Sequence, residues 1–195
     1  VDHNLGFGLV DARAAVRLAE TWSEGAHTFA NRQQVGASRS PGLAIPDNTG
    51  EGAYDSVNVT PSIEVERVEV TLQVTHSFIG DLSVLLTSPS GTTSFLLWRP
   101  QQNPLSAFGS DRDNIHFTFN TVLSWGEESA GTWQLAIFDD ADGDTGRLDA
   151  WTLNLIGKPH AADDVYYYTD EFAESCADQP GRAVLSDVAG VDTLN

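Results

Sequence analysis

Hydrophobic and polar residues alternate with a period of two through the middle of the chain, beginning near Ile45. Successive side chains of a β-strand point to opposite faces, so this period predicts short strands with one buried and one exposed face. The apolar positions of the runs are Val68, Val70, Leu72 and Val74; Leu82, Val84 and Leu86; Ile115, Phe117 and Phe119; Trp133, Leu135 and Ile137; and Trp151, Leu153 and Leu155. Turn-forming stretches separate them, which favours a mainly β fold, an antiparallel sandwich or jelly roll, over residues 45–157.

A helical period appears only near the N terminus. Residues 10–22 predict one short helix that Asp11 can cap, with Ala12, Ala15, Val16, Ala19 and Trp22 on one face. Residues 25–44 are polar and rich in Gly and Ser, which predicts a linker or an irregular edge segment. The chain is therefore divided into a helical segment (1–24), a linker (25–44), a β domain (45–157) and a last segment (158–195) that begins a further, incomplete β module.

Composition narrows the possible partners. The chain has 195 residues, with 28 acidic and 10 basic side chains and a net charge of −18. This charge argues against nucleic acid and against anionic membrane surfaces. No segment reaches the roughly 18 apolar residues of a transmembrane helix. The single Cys176 excludes an internal disulfide, and the absence of Met, even at position 1, indicates a piece of a longer or processed chain.

The highest density of potential metal ligands lies in an acidic tract that joins the last two predicted strands of the β domain. Glycines at positions 143 and 146 let the backbone fold tightly, so several carboxylates can converge. Oxygen ligands at close spacing are what Ca²⁺ prefers, and a cation would offset their mutual repulsion. The alternative is an exposed acidic turn neutralised by solvent and Arg147. The predicted calcium ligands here are Asp139, Asp140, Asp142 and Asp144.

Two other readings of the tract fail on spacing. An EF-hand loop starting at Asp140 needs Gly at position 145 and Glu at position 151, where the chain has Thr145 and Trp151. Asp144-Thr145-Gly146 matches the aspartic protease motif, but that chemistry needs a second such Asp sharing its proton, and the sequence contains none.

Other polar loops offer weaker candidates for metal ligands. Asp81 is either a calcium ligand or the side chain of a self-bonded Asx turn, and both readings stay open. His76 fits a structural, hydrogen-bonded histidine better than a zinc ligand, because no second His or Cys stands at a metal-binding spacing. Second calcium sites are conceivable at Asp47 with Asn48, and at Asp111 and Asp113 with Ser110 and Asn114.

The tryptophans suggest a further possibility, a carbohydrate-stacking platform formed by Trp125, Trp133 and Trp151. Trp133 and Trp151 open alternating apolar runs, which predicts burial in the core for both. Only Trp125 lies in a loop-like context.

Three separate stretches resemble one family of secreted proteases. Asn4–Val16 resembles the last helix of a subtilisin-like catalytic domain, which closes with a Gly-hydrophobic-Gly-x-Val-Asp-Ala run. His76–Thr92 resembles the central signature of the P domain of kexin- and furin-type proprotein convertases. Trp125-Gly-Glu, Gly131-Thr-Trp-Gln-Leu and the Gly146–Leu153 run complete that pattern in the expected order.

This resemblance implies a galactose-binding-like jelly roll that packs on an upstream catalytic domain and supports its folding. It implies a structural calcium ion, a monomer, and secretion from a bacterium, which we expect to be Gram-negative. No Gly-Thr-Ser, Asp-Ser-Gly or His-Gly-Thr motif is present, so we expect no catalytic residue in this chain. The tail, with Asp163–Phe172 and Gly190–Asn195, resembles the entry to a serralysin-type calcium-binding β-roll.

Two other functions remain open at this point. One is a substrate- or surface-binding module for protein fibres or polysaccharide, because jelly rolls carry many such sites. The other is a segment that directs secretion or autoprocessing and is removed on maturation.

Overall fold

A computed structural model describes residues 4–21, 29–101 and 109–160, and residues 162, 163, 165, 166, 168, 172–178 and 180–194 of the tail. The described residues form two compact units. The larger unit contains residues 4–7 and 32–159, and the smaller one contains the described parts of 8–31 and 160–194.

The larger unit is a sandwich of two antiparallel sheets, as the alternation of apolar and polar residues predicts. Sheet one has the strand order β1-β9-β4-β7, with β2 also paired to β9, and sheet two has the order β3-β8-β5-β6. The strands are β1 (Gln33–Arg39), β2 (Leu43–Ile45), β3 (Ala53–Val59), β4 (Ile63–His76), β5 (Leu82–Thr87), β6 (Thr93–Trp98), β7 (Ile115–Thr121), β8 (Gly131–Asp139) and β9 (Gly146–Pro159).

The five strands predicted from the apolar period are present in the larger unit as β4, β5, β7, β8 and β9. The other four strands of this unit, β1, β2, β3 and β6, have no clear periodic signal in the sequence. Residues 25–44, predicted as a linker or an irregular edge segment, contain β1 and most of β2, so this stretch is a regular edge of sheet one and the linker reading is wrong. The side chains of β1 are exposed or half-buried, because this edge strand contributes mainly backbone hydrogen bonds to β9, with Val35 opposite Leu155. An edge strand of this kind has little need of an apolar face, so periodicity does not detect it.

The core lies between the two sheets and consists of the inward-facing alternate residues of both. Trp133 of sheet two and Trp151 of sheet one are 0% and 1% exposed, which confirms their predicted burial. Trp133 donates its indole N–H to the carbonyl of Ser129 at 2.9 Å, so its polar atom is satisfied inside the core.

The smaller unit contains the N-terminal helix and the tail. Helix α1 (Ala12–Thr21) confirms the predicted helix, although Trp22 lies outside the described residues. In the tail, β10 (Val165–Tyr166) pairs in parallel with β11 (Thr193–Leu194), and helix α2 (Phe172–Asp178) lies between them in sequence. A parallel pair is compatible with the start of a β-roll, but the identity of the tail stays a prediction.

One carboxylate joins the two sheets through the core. Asp55 of β3 accepts a hydrogen bond from the Trp151 indole of β9 at 2.8 Å and from the Arg39 guanidinium of β1 at 2.9 and 3.2 Å. Burial raises the pKa of the Asp55 carboxyl, but the hydrogen bonds from Arg39, Trp151 and the Ser56 backbone outweigh burial and bring the pKa below its usual value. The ionised carboxylate is therefore the form that holds the sheets together.

We expect Asp55→Asn to lower the free energy of unfolding by about 1–3 kcal/mol at pH 7, because a charged acceptor is lost from a nearly buried site. A carboxyl with a lowered pKa stabilises the fold above its unfolded pKa of about 3.9, and this contribution is lost as the pH falls through the folded pKa. The difference between wild type and variant should therefore shrink on acidification, measured by urea unfolding from pH 7 to pH 3. The matched control is Asp111→Asn, an exposed acid that should change little at any pH. A wild-type to Asp55→Asn difference that is constant over this range would contradict the assignment.

Candidate functional site

The acidic tract forms the turn between β8 and β9, at one end of the sandwich. Its carboxylates point to separate partners from other parts of the chain. Asp140 accepts a hydrogen bond from the Ser83 hydroxyl at 2.5 Å, and Asp144 accepts one from Ser77 at 2.6 Å. These contacts fix the turn to the strand ends around it.

The loop before β3 holds the tip of the same turn. Asp142 accepts a hydrogen bond from the Asn48 amide at 2.9 Å. Both oxygens of Asp47 lie 3.2 Å from the backbone nitrogen of Gly143, which donates to that carboxylate. The sequence predicted separate ion sites at the tract and at Asp47, and the structure brings them side by side.

Asp139 forms a buried pair with His76. The His76 Nε2 and Asp139 Oδ2 atoms are 3.0 Å apart, and both side chains are 0% exposed. The other ring nitrogen, Nδ1, accepts the backbone N–H of Phe78 at 3.1 Å. An acceptor at Nδ1 requires the proton at Nε2, so the neutral ring donates to the carboxylate. His76 is thus the structural, hydrogen-bonded histidine that the sequence predicts.

The surroundings of this pair are tightly packed. Burial raises the pKa of the Asp139 carboxyl above its usual value, and the hydrogen bond from His76 offsets only part of that effect. A Cβ atom on Gly146 would lie 2.2 Å from His76 Cδ2, so only glycine fits at the first residue of β9. Asn114 exchanges two hydrogen bonds of 3.0 Å with the backbone of His76.

Of the remaining predicted ligands, Asp81 borders the tract, because its backbone carbonyl accepts the Asp140 N–H at 2.9 Å. Asp81 is nearly buried and faces the Arg99 guanidinium at 3.5 Å, so a cationic side chain stands at this carboxylate. Asp111 and Asp113 are exposed in the loop before β7. Ser110 in that loop is buried and accepts the backbone N–H of Gly80 through its carbonyl at 3.0 Å.

The described acidic side chains do not converge on one point. Calcium takes six to eight oxygen ligands around one point. Among the residues that the structure describes, no group of three His, Cys, Asp or Glu side chains is placed to hold one ion. Each acid of the tract instead accepts a hydrogen bond from the protein. Calcium ligation stays a prediction that the geometry does not support.

Because protein donors occupy the carboxylates of the tract, we expect calcium to add little to the stability of the sandwich. We expect the thermal midpoint to stay within about 1 °C between 5 mM CaCl₂ and 5 mM EDTA, because a ligand that does not bind the native state cannot stabilise it. Differential scanning calorimetry measures this directly, with 5 mM MgCl₂ as the control for ionic strength. A midpoint that rises with calcium and not with magnesium would restore the sequence-based prediction.

A second feature, the turn Trp125-Gly126-Glu127 between β7 and β8, presents an aromatic side chain to solvent. The backbone of the turn is tied to β4, since Gly126 donates to the Val65 carbonyl and Val65 donates to the Glu127 carbonyl, each at 2.8 Å. Trp125 is 47% exposed, and the ring of Phe7 meets it edge-on with centroids 5.7 Å apart. Sequence reasoning did not single out Phe7, although it lies in the Asn4–Val16 stretch.

The side chain of Glu127 stiffens the same turn. Burial raises the pKa of its carboxyl, but the hydroxyls of Ser90, Thr92, Ser88 and Ser124 outweigh burial and bring the pKa below its usual value. Its Oε2 atom is buried and has no hydrogen-bond donor among the described residues, so we attribute the lowered pKa to hydroxyl dipoles around the whole carboxylate. The Ser88–Thr92 turn and the Trp125 turn are thereby held together.

The serine hydroxyls at the tract, Ser77 and Ser83, donate to carboxylates. Among the described residues the one buried histidine, His76, donates to Asp139 and accepts from a backbone N–H, so neither of its ring nitrogens is available to activate a hydroxyl. No helix among the described residues is long and apolar enough to span a membrane. The arrangement is that of a stabilised scaffold with an exposed aromatic turn.

Comparison with known proteins agrees with the family resemblance of the sequence motifs. A family model described as the proprotein convertase P-domain matches residues 65–155. The chain is 31% identical over 168 residues to neuroendocrine convertase 2 of Mus musculus, covering 82% of the chain and 25% of the relative. It is 32% identical over 197 residues to proprotein convertase subtilisin/kexin type 5 of Homo sapiens, covering 92% of the chain and 10% of the relative. The chain thus spans a quarter or less of these relatives.

Among solved structures, the serine protease of Aeromonas sobria, crystallised in complex with its chaperone, has a similar fold. The match has a TM-score of 0.65 at 23% sequence identity and covers 80% of this chain and 31% of the other. The same protease in a second crystal structure gives a TM-score of 0.63.

Proposed function

Since residues 65–155 belong to the proprotein convertase P-domain family, we propose that this chain carries the non-catalytic P domain of a secreted subtilisin-like serine endopeptidase. Its function is to stabilise the upstream catalytic domain and to support its folding. The relatives are convertases in which the matching region is a minor part of a longer polypeptide.

The contact between Phe7 and Trp125 is the observation that carries this proposal. Phe7 lies in the stretch that resembles the last part of a subtilisin-like catalytic domain, and its ring packs edge-on against Trp125 of the sandwich. A residue of the catalytic-domain remnant therefore lies directly against the Trp125 turn. We infer that this end of the sandwich faces the catalytic domain.

The physical effect of such docking is thermodynamic. A surface that binds the folded catalytic domain and not its unfolded chain shifts the folding equilibrium towards the folded form. The Trp125 turn suits this role, because backbone hydrogen bonds to Val65 and the hydroxyls around Glu127 fix it before it meets a partner. A preorganised aromatic loses little conformational freedom on burial.

This role predicts that the chain by itself hydrolyses nothing. The Ser-His-Asp mechanism needs its three groups in one constellation, and the sequence contains none of the motifs that carry them. Purified chain incubated with casein and with peptide amide substrates should show no activity above a buffer blank. The control is the same preparation treated with phenylmethylsulfonyl fluoride, which shows whether any residual activity is that of a serine protease. Inhibitor-sensitive hydrolysis that scales with the purified chain would contradict the proposal.

The docking role predicts a specific effect of Trp125→Ala in the protease that contains this chain. We expect a loss of about 1–2 kcal/mol in the stability of the catalytic domain, because an interfacial aromatic contact is removed. The readout is the temperature at which peptidase activity is lost, which should fall by several degrees, together with a lower yield of active enzyme.

Trp98→Ala is the matched control, since Trp98 is an exposed tryptophan on a different face of the same sandwich. It should leave the inactivation temperature unchanged. In the isolated 195-residue chain, Trp125→Ala should lower the unfolding temperature much less than it lowers the inactivation temperature of the protease, since only the Phe7 contact is lost there. Equal effects of the two substitutions on the protease would count against docking at the Trp125 turn.

A further inference from the structure

The outer face of sheet two carries an aromatic surface that the family assignment does not account for. Along β3, β8, β5 and β6 the alternate residues that point away from the core meet in rows across the sheet. One row joins Tyr54, Ala136, Leu85 and Phe95 by direct strand pairing. The next row joins Phe138, Ser83 and Trp98.

The aromatic residues of these rows form two walls. Tyr54 and Phe138 pack edge-on at 5.8 Å on one side, and Phe95 and Trp98 pack edge-on at 5.4 Å on the other. The backbones of Phe138 on β8 and Trp98 on β6 are two strand spacings apart, which is roughly 10 Å. The strand segments between the walls carry smaller side chains. The floor consists of Ala136, Ser83 and Leu85, and together with the walls it defines the aromatic cleft.

The walls are open to solvent. Tyr54, Phe95 and Trp98 are 52%, 46% and 66% exposed, whereas Ala136 and Ser83 on the floor are buried. Each exposed ring packs edge-on against a neighbouring ring, which restricts its orientation. Large aromatic side chains that are both exposed and held in place are typical of binding surfaces.

A polar row continues the same face beside the aromatic cleft. Paired residues across the four strands place Ser56, Gln134, Thr87 and Thr93 next to one another. The hydroxyls of Thr87 and Thr93 are 3.1 Å apart. Hydroxyl and amide groups thus stand one strand repeat, about 7 Å, from the aromatic walls.

Neither the aromatic cleft nor the polar row contains a charged side chain, in a chain whose net charge is −18. One carboxylate borders the cleft, since Asp140 accepts a hydrogen bond from Ser83 of the floor, and Arg99, next to Trp98, faces Asp81. An anion would be repelled by this acidic protein, and the one bordering carboxylate is already hydrogen-bonded, so the face suits a neutral ligand with hydroxyl groups.

From this geometry we propose that the outer face of sheet two binds a neutral polysaccharide. A pyranose ring has an apolar C–H face that stacks on an aromatic ring and a rim of hydroxyls that hydrogen-bonds to polar side chains. The aromatic cleft supplies the first kind of contact, and the polar row supplies the second. An apolar peptide side chain would match the cleft but would make no use of the polar row beside it.

The test uses the full chain and three insoluble neutral polysaccharides, namely cellulose, chitin and amylose. Retention is measured by sedimentation, and affinity is measured by tryptophan fluorescence with the hexasaccharide of the polysaccharide that is retained. We expect retention on at least one of them, unchanged in 1 M NaCl because no ion pairs are involved. Trp98→Ala and Tyr54→Ala should each weaken binding about tenfold or more, since each removes one stacking wall.

Trp125→Ala is the matched control and should bind like wild type, since it removes an exposed tryptophan at the turn between β7 and β8. Phe95→Ala serves as a further wall variant if Trp98→Ala does not fold, as judged by its thermal midpoint. The proposal is overturned by no retention on any of the three, or by wild-type affinity in the wall variants. The absence of polysaccharide binding, combined with a requirement for Trp98 in collagen retention or in dimer formation, would assign this face to a protein partner and would also overturn the proposal.

Discussion

The antiparallel pairing of β4 with β9 is the constraint on which the rest of the sandwich depends. The two strands run side by side from Ile63 opposite Pro159 to His76 opposite Gly146. Every other strand of sheet one pairs with one of them. Sheet two is fixed to this ladder by its packed inner face and by the hydrogen bond from Trp151 of β9 to Asp55 of β3. The donors of the hydrogen bonds to Asp55, Trp151 and Arg39, lie on strands whose backbones are already fixed by pairing. Each bond therefore sets the distance between the sheets at low entropic cost.

The two ends of the ladder have different tasks. At the His76 end, the turn into β9 is full of carboxylates, and each is held by a donor from another segment, such as Ser77 or Asn48. At the other end, Val65 of β4 holds the turn that presents Trp125. At the His76 end the carboxylates are hydrogen-bonded within the chain. At the other end the exposed Trp125 side chain is available to a partner. The outer face of sheet two is a third surface, and its aromatic side chains do not include Trp125.

The strands that bury one face could be predicted from the sequence, and the strands that bury little could not. Val68 to Val74 alternate because every second side chain enters the core, whereas the side chains of β1 are at most half-buried and leave no period. The acidic tract was located correctly as a turn leading into a buried strand. What its carboxylates contact was not predictable, because the partners Ser83, Asn48 and Ser77 are brought there by tertiary structure and by no local motif. The aromatic cleft was missed for a related reason. Its residues lie on four strands and become neighbours only through the register.

The contact between Gly146 and His76 has a consequence for strand registration. If β9 slipped by one residue against β4, Arg147 would replace Gly146 opposite the imidazole, and its side chain would meet a ring that already leaves no room for a single carbon atom. A one-residue slip would also turn Trp151 and Leu153 out of the core. Gly146 against the buried His76 ring thus sterically allows one register of the β4–β9 ladder and disfavours registers shifted by one residue. This steric constraint disfavours misaligned pairing of the two long strands during folding.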